Sequence, residues 1–130
     1  MTGDPVVCVI DDDVSVLRAV SRLLTALGYT VRSFKSAQQF LERPPEDDSE
    51  LGCLVVDVHM PGMSGLELQE ELARAGRDLP IVFVTGGADE TLRQRAFANG
   101  ALEFLEKPFT DAAIERAVRH ALTCRTGRFA

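Results

Sequence analysis

Short unbroken apolar runs alternate along this chain with longer segments in which apolar positions recur every three or four residues. The first pattern fits a strand covered on both faces of a parallel sheet, and the second an amphipathic helix. Val6–Ile10 is the first such run. In residues 14–27 the positions Val16, Leu17, Val20, Leu23, Leu24 and Leu27 keep helical spacing, and Gly28 supplies a stop. Thr30–Phe34 predicts a second strand, more polar and so suited to an edge. Ser36 is placed to cap a short helix carrying Phe40 and Leu41, which ends before Pro44-Pro45.

Residues 44–50 are acidic and turn-rich and read as an exposed loop. A buried strand follows at 53–56, then a Pro/Gly loop at 59–64, then a helix to Ala75 closed by Gly76. Residues 81–84 predict a fourth strand before Gly86-Gly87. A weaker helix spans 89–99 and stops at Gly100. Residues 101–105 predict a fifth strand, and Thr110 or Asp111 caps a last helix whose apolar face is Ile114, Ala117, Val118, Ala121 and Leu122. Five strand–helix units joined by right-handed crossovers wind into an α/β fold, a doubly wound parallel sheet with helices on both faces.

Composition narrows the function classes. The 130 residues suit one domain, and 45% hydrophobic with 26% charged is ordinary globular usage. A net charge of -6 argues against nucleic acid as this domain's own partner, because phosphate binding calls for a basic patch. No apolar run is long enough to span a membrane, and MTGDPVV lacks the basic-then-apolar pattern of a signal peptide. Three cysteines without metal-like spacing suit reduced thiols. The expectation is a cytoplasmic domain.

Open parallel sheets bind ligands beyond the C-terminal ends of their strands. Four of the five predicted strands end in reactive or ionic residues: Asp11 and Asp12 after the first, Asp57 after the third, Thr85 after the fourth and Lys107 after the fifth. A sheet of this kind brings them to one end of the domain. Each also has a plainer reading. Asp57 could open the Met60-Pro61-Gly62 turn through its side chain, Lys107 could be solvated, and Thr85 could simply end a strand before two glycines. Phe104 could be an ordinary core side chain. Asp13 suits a helix N-cap better than a metal ligand.

Taken in this order, "IDDD", "VVDVHMPGMSG", "VTGG" and "FLEKPF" resemble the receiver domain of two-component response regulators, most of all receivers that precede a helix-turn-helix output domain. The resemblance covers roughly residues 6–123. It implies the flavodoxin-like strand order 2-1-3-4-5. It also implies that Asp57 accepts a phosphoryl group from a phosphohistidine on a sensor histidine kinase. Asp11 and Asp12 would hold Mg2+ with Asp57 and the backbone carbonyl of His59. Lys107, before a cis Pro108, would pair with Asp57 before transfer and with the phosphoryl group afterwards. Thr85 would bond a phosphoryl oxygen, with Gly86 and Gly87 leaving room. Phe104 would be the aromatic partner in a Thr–aromatic switch that alters the helix 4–strand 5–helix 5 face, controls an output such as transcription and permits a homodimer.

On this reading residues 1–124 form the receiver and 125–130 a tail or the start of a linker. The chain is a phosphoacceptor switch, not an enzyme acting on other substrates. Two other classes compete. A Mg2+-dependent phosphohydrolase would use the same carboxylates, but Val58-His59 stands where a second acid/base Asp belongs. A flavodoxin-like cofactor binder would have no need of the acidic cluster. His59 and His120 are not read as metal or catalytic side chains, and neither glycine-rich loop matches G-x-x-x-x-G-K-[ST].

Overall fold

The computed structural model describes residues 5–87 and 89–129, with 125–129 described by their backbone alone. Strands and helices alternate as β1 (Val6–Ile10), α1 (Val14–Ala26), β2 (Thr30–Phe34), α2 (Ala37–Leu41), β3 (Leu51–Asp57), α3 (Gly65–Arg74), β4 (Ile81–Thr85), α4 (Glu90–Ala98), β5 (Glu103–Glu106) and α5 (Asp111–Phe129). A 3-10 helix, Pro45–Glu50, precedes β3. The strands form one parallel sheet in the order β2-β1-β3-β4-β5. This is the doubly wound α/β, flavodoxin-like arrangement expected above.

Strand alternation divides the core into two layers. Cys8, Ile10, Leu54, Val56, Ile81 and Phe83 face one way, against Phe40 of α2, Leu66, Leu68 and Leu72 of α3 and Ala96 of α4. Val7, Val9, Cys53, Val55, Val82 and Val84 face the other, against Leu17, Val20 and Leu24 of α1 and Ile114, Ala117, Val118 and Ala121 of α5. Every residue of β1, β3 and β4 is buried, whereas β2 is largely exposed, as its polar sequence requires of an edge.

Local boundaries differ where long-range bonds intervene. The fifth strand runs over Glu103–Glu106 and not 101–105, because the N–H of Ala101 closes the end of α4 on the carbonyl of Ala96. The third begins at Leu51, two residues early. Its register against β1 passes from Val6↔Leu51 to Val7↔Cys53, so Gly52 is an extra, bulged residue. Of the two candidate caps for the last helix, Thr110 is the one used, accepting the N–H of Ala113 at 3.0 Å. The α5 backbone stays helical to Phe129, through most of the segment set apart as tail or linker; residues 1–4 and 130 lie outside the described residues.

The 44–50 segment is mostly exposed, as expected, but it forms a 3-10 helix from Pro45 and is not solvated throughout. Asp48 turns inward and accepts a bidentate pair from Arg77, Nε at 2.8 Å and Nη2 at 2.9 Å, while Arg43 Nη1 lies 3.5 Å from its Oδ1. The guanidinium of Arg43 stacks 4.7 Å from the centre of the buried Phe40 ring. Arginine is suited to this role, since its flat group pairs with a carboxylate along one edge and stacks on a ring with its face. Nothing local in the acidic run announces a partner 29 residues away.

Candidate functional site

The site is assembled from four strand ends at one edge of the sheet. After β1 the chain turns sharply, and the N–H of Asp13 donates to Asp11 Oδ1 at 2.9 Å. That bond turns the Asp11 carboxylate inward, where it is 1% exposed. Asp13 itself is the N-cap of α1, its Oδ1 accepting from the N–H groups of Ser15 at 2.9 Å and Val16 at 3.4 Å. The three consecutive acids therefore divide: Asp11 is buried, Asp12 is exposed and Asp13 caps a helix.

Asp57 is the last residue of β3 and is 5% exposed. The chain leaving it is held on both sides. The N–H of Val58 donates to Val84 O at 2.9 Å, and the N–H of Gly65 returns to Val58 O at 2.9 Å. A capping box then starts α3: Ser64 Oγ accepts the Glu67 N–H at 3.1 Å, and Glu67 Oε1 accepts the Ser64 N–H at 2.9 Å. The intervening His59 to Ser64 loop is thus pinned at both ends.

Carboxylate oxygens of Asp11, Asp12 and Asp57 lie within 4.8 Å of one another. Lys107, just past β5, places Nζ 3.1 Å from Asp11 Oδ2 and 3.5 Å from Asp57 Oδ1. Its backbone N–H donates to Thr85 O at 2.7 Å, and its bond to Pro108 is cis. Burial opposes the ammonium charge, but hydrogen bonding and attraction from Asp11, with Asp57, outweigh it and raise the Lys107 pKa. Burial, then the charge of Asp11, pushes the Asp57 carboxyl up from 3.8 to about 6; Lys107 and the backbone of His59 pull it down in part.

Three carboxylates against one ammonium leave the cluster negative. Closely spaced hard oxygen donors, one of them open to solvent, fit a divalent cation of the Mg2+ kind. Thr85 ends β4 with its side chain fully buried, and its hydroxyl is engaged with the following loop. Oγ1 donates to Gly87 O at 3.1 Å and accepts from Gly87 N at 3.2 Å.

Phe104 is only partly buried, with its ring centre 6.3 Å from that of Phe83. It borders a cavity of about 250 Å3 with Asp89, Glu90, Arg93 and Glu106. The side chain of His59 is exposed and sits across from Gly87, where a Cβ would come within 3.9 Å of Nε2. His120 lies away from this cluster, with Nδ1 2.8 Å from Glu103 Oε2.

Asp11, Asp12, Asp57 and Lys107 therefore meet. Thr85 joins them through its backbone bond to Lys107 while its hydroxyl is held by Gly87, and Phe104 is set apart on the α4–β5 side. Two features escaped the sequence reading. The nearer partner of Lys107 is Asp11, a contact between residues 96 apart. Gly65 closes the β3–α3 loop at a place where no side chain fits. The glycine was visible in "VVDVHMPGMSG", but the space it needs is a property of the folded chain.

Comparison with known proteins agrees with this architecture. The family model for the response regulator receiver domain matches residues 7–119. The response regulator protein TmoT of Ectopseudomonas mendocina is 40% identical over 121 residues, covering 92% of this chain and 53% of that protein. The transcriptional regulatory protein FixJ of Azorhizobium caulinodans is 46% identical over 114 residues, covering 88% and 53%. This chain thus spans about half the length of the curated relatives it matches.

Among solved structures, that of the response regulator StyR superposes with a TM-score of 0.88 at 43% identity, covering 97% of this chain and 63% of that one. FixJ-N superposes with a TM-score of 0.81 at 32% identity, covering 94% and 96%. No helix among the described residues is long and apolar enough to cross a membrane. With the sheet order, the strand-end cluster and these matches in agreement, the chain belongs to the response regulator receiver domain family.

Proposed function

We propose that Asp57 of this domain accepts a phosphoryl group from a sensor histidine kinase, with Mg2+, and that the modification changes the α4–β5–α5 surface to control an output, most simply transcription. One observation carries the proposal: the buried Asp57 carboxylate lies within 4.8 Å of the Asp11 and Asp12 oxygens and 3.5 Å from the Lys107 ammonium. Aspartyl-phosphate formation asks mainly for positioning and for neutralisation of charge, which such a cluster supplies.

In the transfer, an oxygen of Asp57 bonds to phosphorus as the phosphorus–nitrogen bond to the kinase histidine breaks. The electron pair of that bond returns to the ring nitrogen. With its pKa raised only to about 6, Asp57 is still mostly ionised at neutral pH and able to attack. Asp11, Asp12, Asp57 and the His59 carbonyl would hold the ion, which when bound offsets charge on the phosphoryl oxygens. Lys107 pairs with the same oxygens once they arrive. An apolar groove of about 560 Å3, lined by Val16, Ala19, Val20, Leu23, Pro108 and Phe109, adjoins Lys107 and offers the kinase a surface beside the acceptor.

The switch begins at Thr85. Its hydroxyl is now shared with the Gly87 backbone, and a phosphoryl oxygen on Asp57 competes for it. Releasing Gly87 frees the loop that leads into α4. The Phe104 ring, half-buried beside a cavity at the start of α4, then repacks as the loop moves. A changed α4–β5 face is also the surface on which two phosphorylated copies would pair.

The direct test is incubation with Mg2+ and acetyl phosphate, followed by intact mass. One added phosphoryl group is expected on the wild type and none on Asp57→Asn. An unmodified wild type, or a variant still modified at the same place, contradicts the proposal.

A further inference from the structure

We infer that Gly65 is a positioning residue for Asp57: the missing Cβ lets α3 seat against the strand end that carries the acceptor carboxylate. This rests on the phosphoacceptor reading proposed above. A Cβ built on Gly65 would collide with the backbone carbonyl oxygen of Asp57 and come within 3.1 Å of both Phe83 Cε1 and Val56 Cγ1. The first of these contacts decides the matter. A flexible side chain can swing away from an added methyl group, but a carbonyl at the end of a fully buried central strand cannot.

The need is for space, not for an unusual backbone. Gly65 is the first residue of α3 and is absent from the glycines with positive φ, which are Gly28, Gly62, Gly76 and Gly100. Its N–H is already committed to Val58 O at 2.9 Å. With α3 tied to the loop by that bond, a side chain at 65 has two outlets. Either α3 lifts off the sheet, or the Asp57 peptide is pushed toward the cluster. The second moves the carboxylate relative to Asp11, Asp12 and Lys107, which come from separate strand ends and do not move with it. Reactions that depend on positioning are sensitive to displacements of about 1 Å, which can change a rate by about 10²-fold.

Gly52, in the same strand, provides the control. A Cβ there would collide with Leu122 Cδ2 and reach 2.8 Å from Pro5 Cβ, at the opposite end of β3. The experiment compares wild type, Gly65→Ala and Gly52→Ala at a temperature where circular dichroism shows all three folded. Two quantities are read: the rate of phosphorylation by acetyl phosphate, and the rise in melting temperature caused by Mg2+ alone. Gly65→Ala is expected to react at least about tenfold more slowly and to lose most of the Mg2+-induced rise. Gly52→Ala should keep both.

If Gly65→Ala does not fold in plain buffer, all three proteins are compared in a stabilising osmolyte such as trimethylamine N-oxide. The osmolyte favours burial without relieving the carbonyl contact, so the same losses are expected. Wild-type values for a folded Gly65 variant overturn the inference, as do equal losses in both glycine variants. A wild type that takes up no phosphate counts instead against the phosphoacceptor reading, and the Mg2+ comparison then still decides the role of Gly65.

Discussion

The Lys107 ammonium lies closer to Asp11 than to Asp57, at 3.1 Å against 3.5 Å. One cation thus serves two carboxylates that are both nearly removed from water, at 1% and 5% exposure. In such surroundings an uncompensated charge is costly, so Lys107 holds the cluster together as much as it pairs with Asp57.

Replacing Lys107 with Met keeps the apolar stem and removes the charge. Phosphorylation by acetyl phosphate is expected to fall by about 10²-fold, the usual effect of losing one preorganised donor. The Asp57 carboxyl should also titrate higher than its present value of about 6, because a neighbour that lowers it is gone. Carbon-detected NMR of the labelled carboxyl checks the second outcome independently of reaction.

The raised pKa of Asp57 sets a pH dependence with a definite sign. Burial and the Asp11 charge move it from 3.8 unfolded to about 6 folded. Between those values the folded chain holds the proton and the unfolded chain has lost it. Ion-free stability therefore falls as pH rises through about 4 to 6, by roughly 1–3 kcal/mol from this residue, and is level above that window. Urea unfolding in EDTA should show Asp57→Asn gaining on the wild type across the window. Parallel curves for the two proteins would show that Asp57 is not the source.

Mg2+ should stabilise the folded chain. At tenfold excess over its dissociation constant the gain is about 1.4 kcal/mol, which raises the melting temperature by several degrees. Asp57→Asn and Asp12→Ala each remove one of the three clustered carboxylates and should lose most of that gain. Calorimetry with and without the ion is the measurement, and Ca2+ at equal concentration controls for bulk divalent charge.

Asp48→Ala tests the part-buried ionic group far from the site. Arg43 and Arg77, with side chains 9% and 11% exposed, both lean on this carboxylate. Its loss leaves two part-buried guanidinium groups without their shared carboxylate. It should cost about 1.5–3 kcal/mol in urea unfolding, the range for a hydrogen bond to a charged group. The rate of phosphorylation of the folded fraction should be unchanged, since the cluster at the strand ends is not touched.

Much of the site was legible because strand ends are legible. Apolar runs mark where β1, β3 and β4 stop, and parallel topology dictates that those stops converge, so Asp11, Asp57 and Thr85 could be grouped without coordinates. Asp13 could be separated from its neighbours on capping preference alone. Asp48 could not be assigned, because an acid in a turn-rich run looks the same whether it is solvated or paired with Arg77. The fifth strand was displaced for a similar reason: Ala101 belongs by its side chain to an apolar run, but its N–H is taken by α4.

The sequence by itself determined the alternation of strands and helices, the edge character of β2 and the residue types at each strand end. These follow from periodicity and from short-range chemistry. Only the tertiary structure decided that Lys107 leans toward Asp11, that Thr85 is tied to Gly87, and that α3 starts where a Cβ at position 65 would strike the Asp57 carbonyl. Those relationships depend on distances between segments remote along the chain. Such distances are set by how the two core layers pack, to tenths of an ångström, and a one-dimensional pattern carries no measure of them.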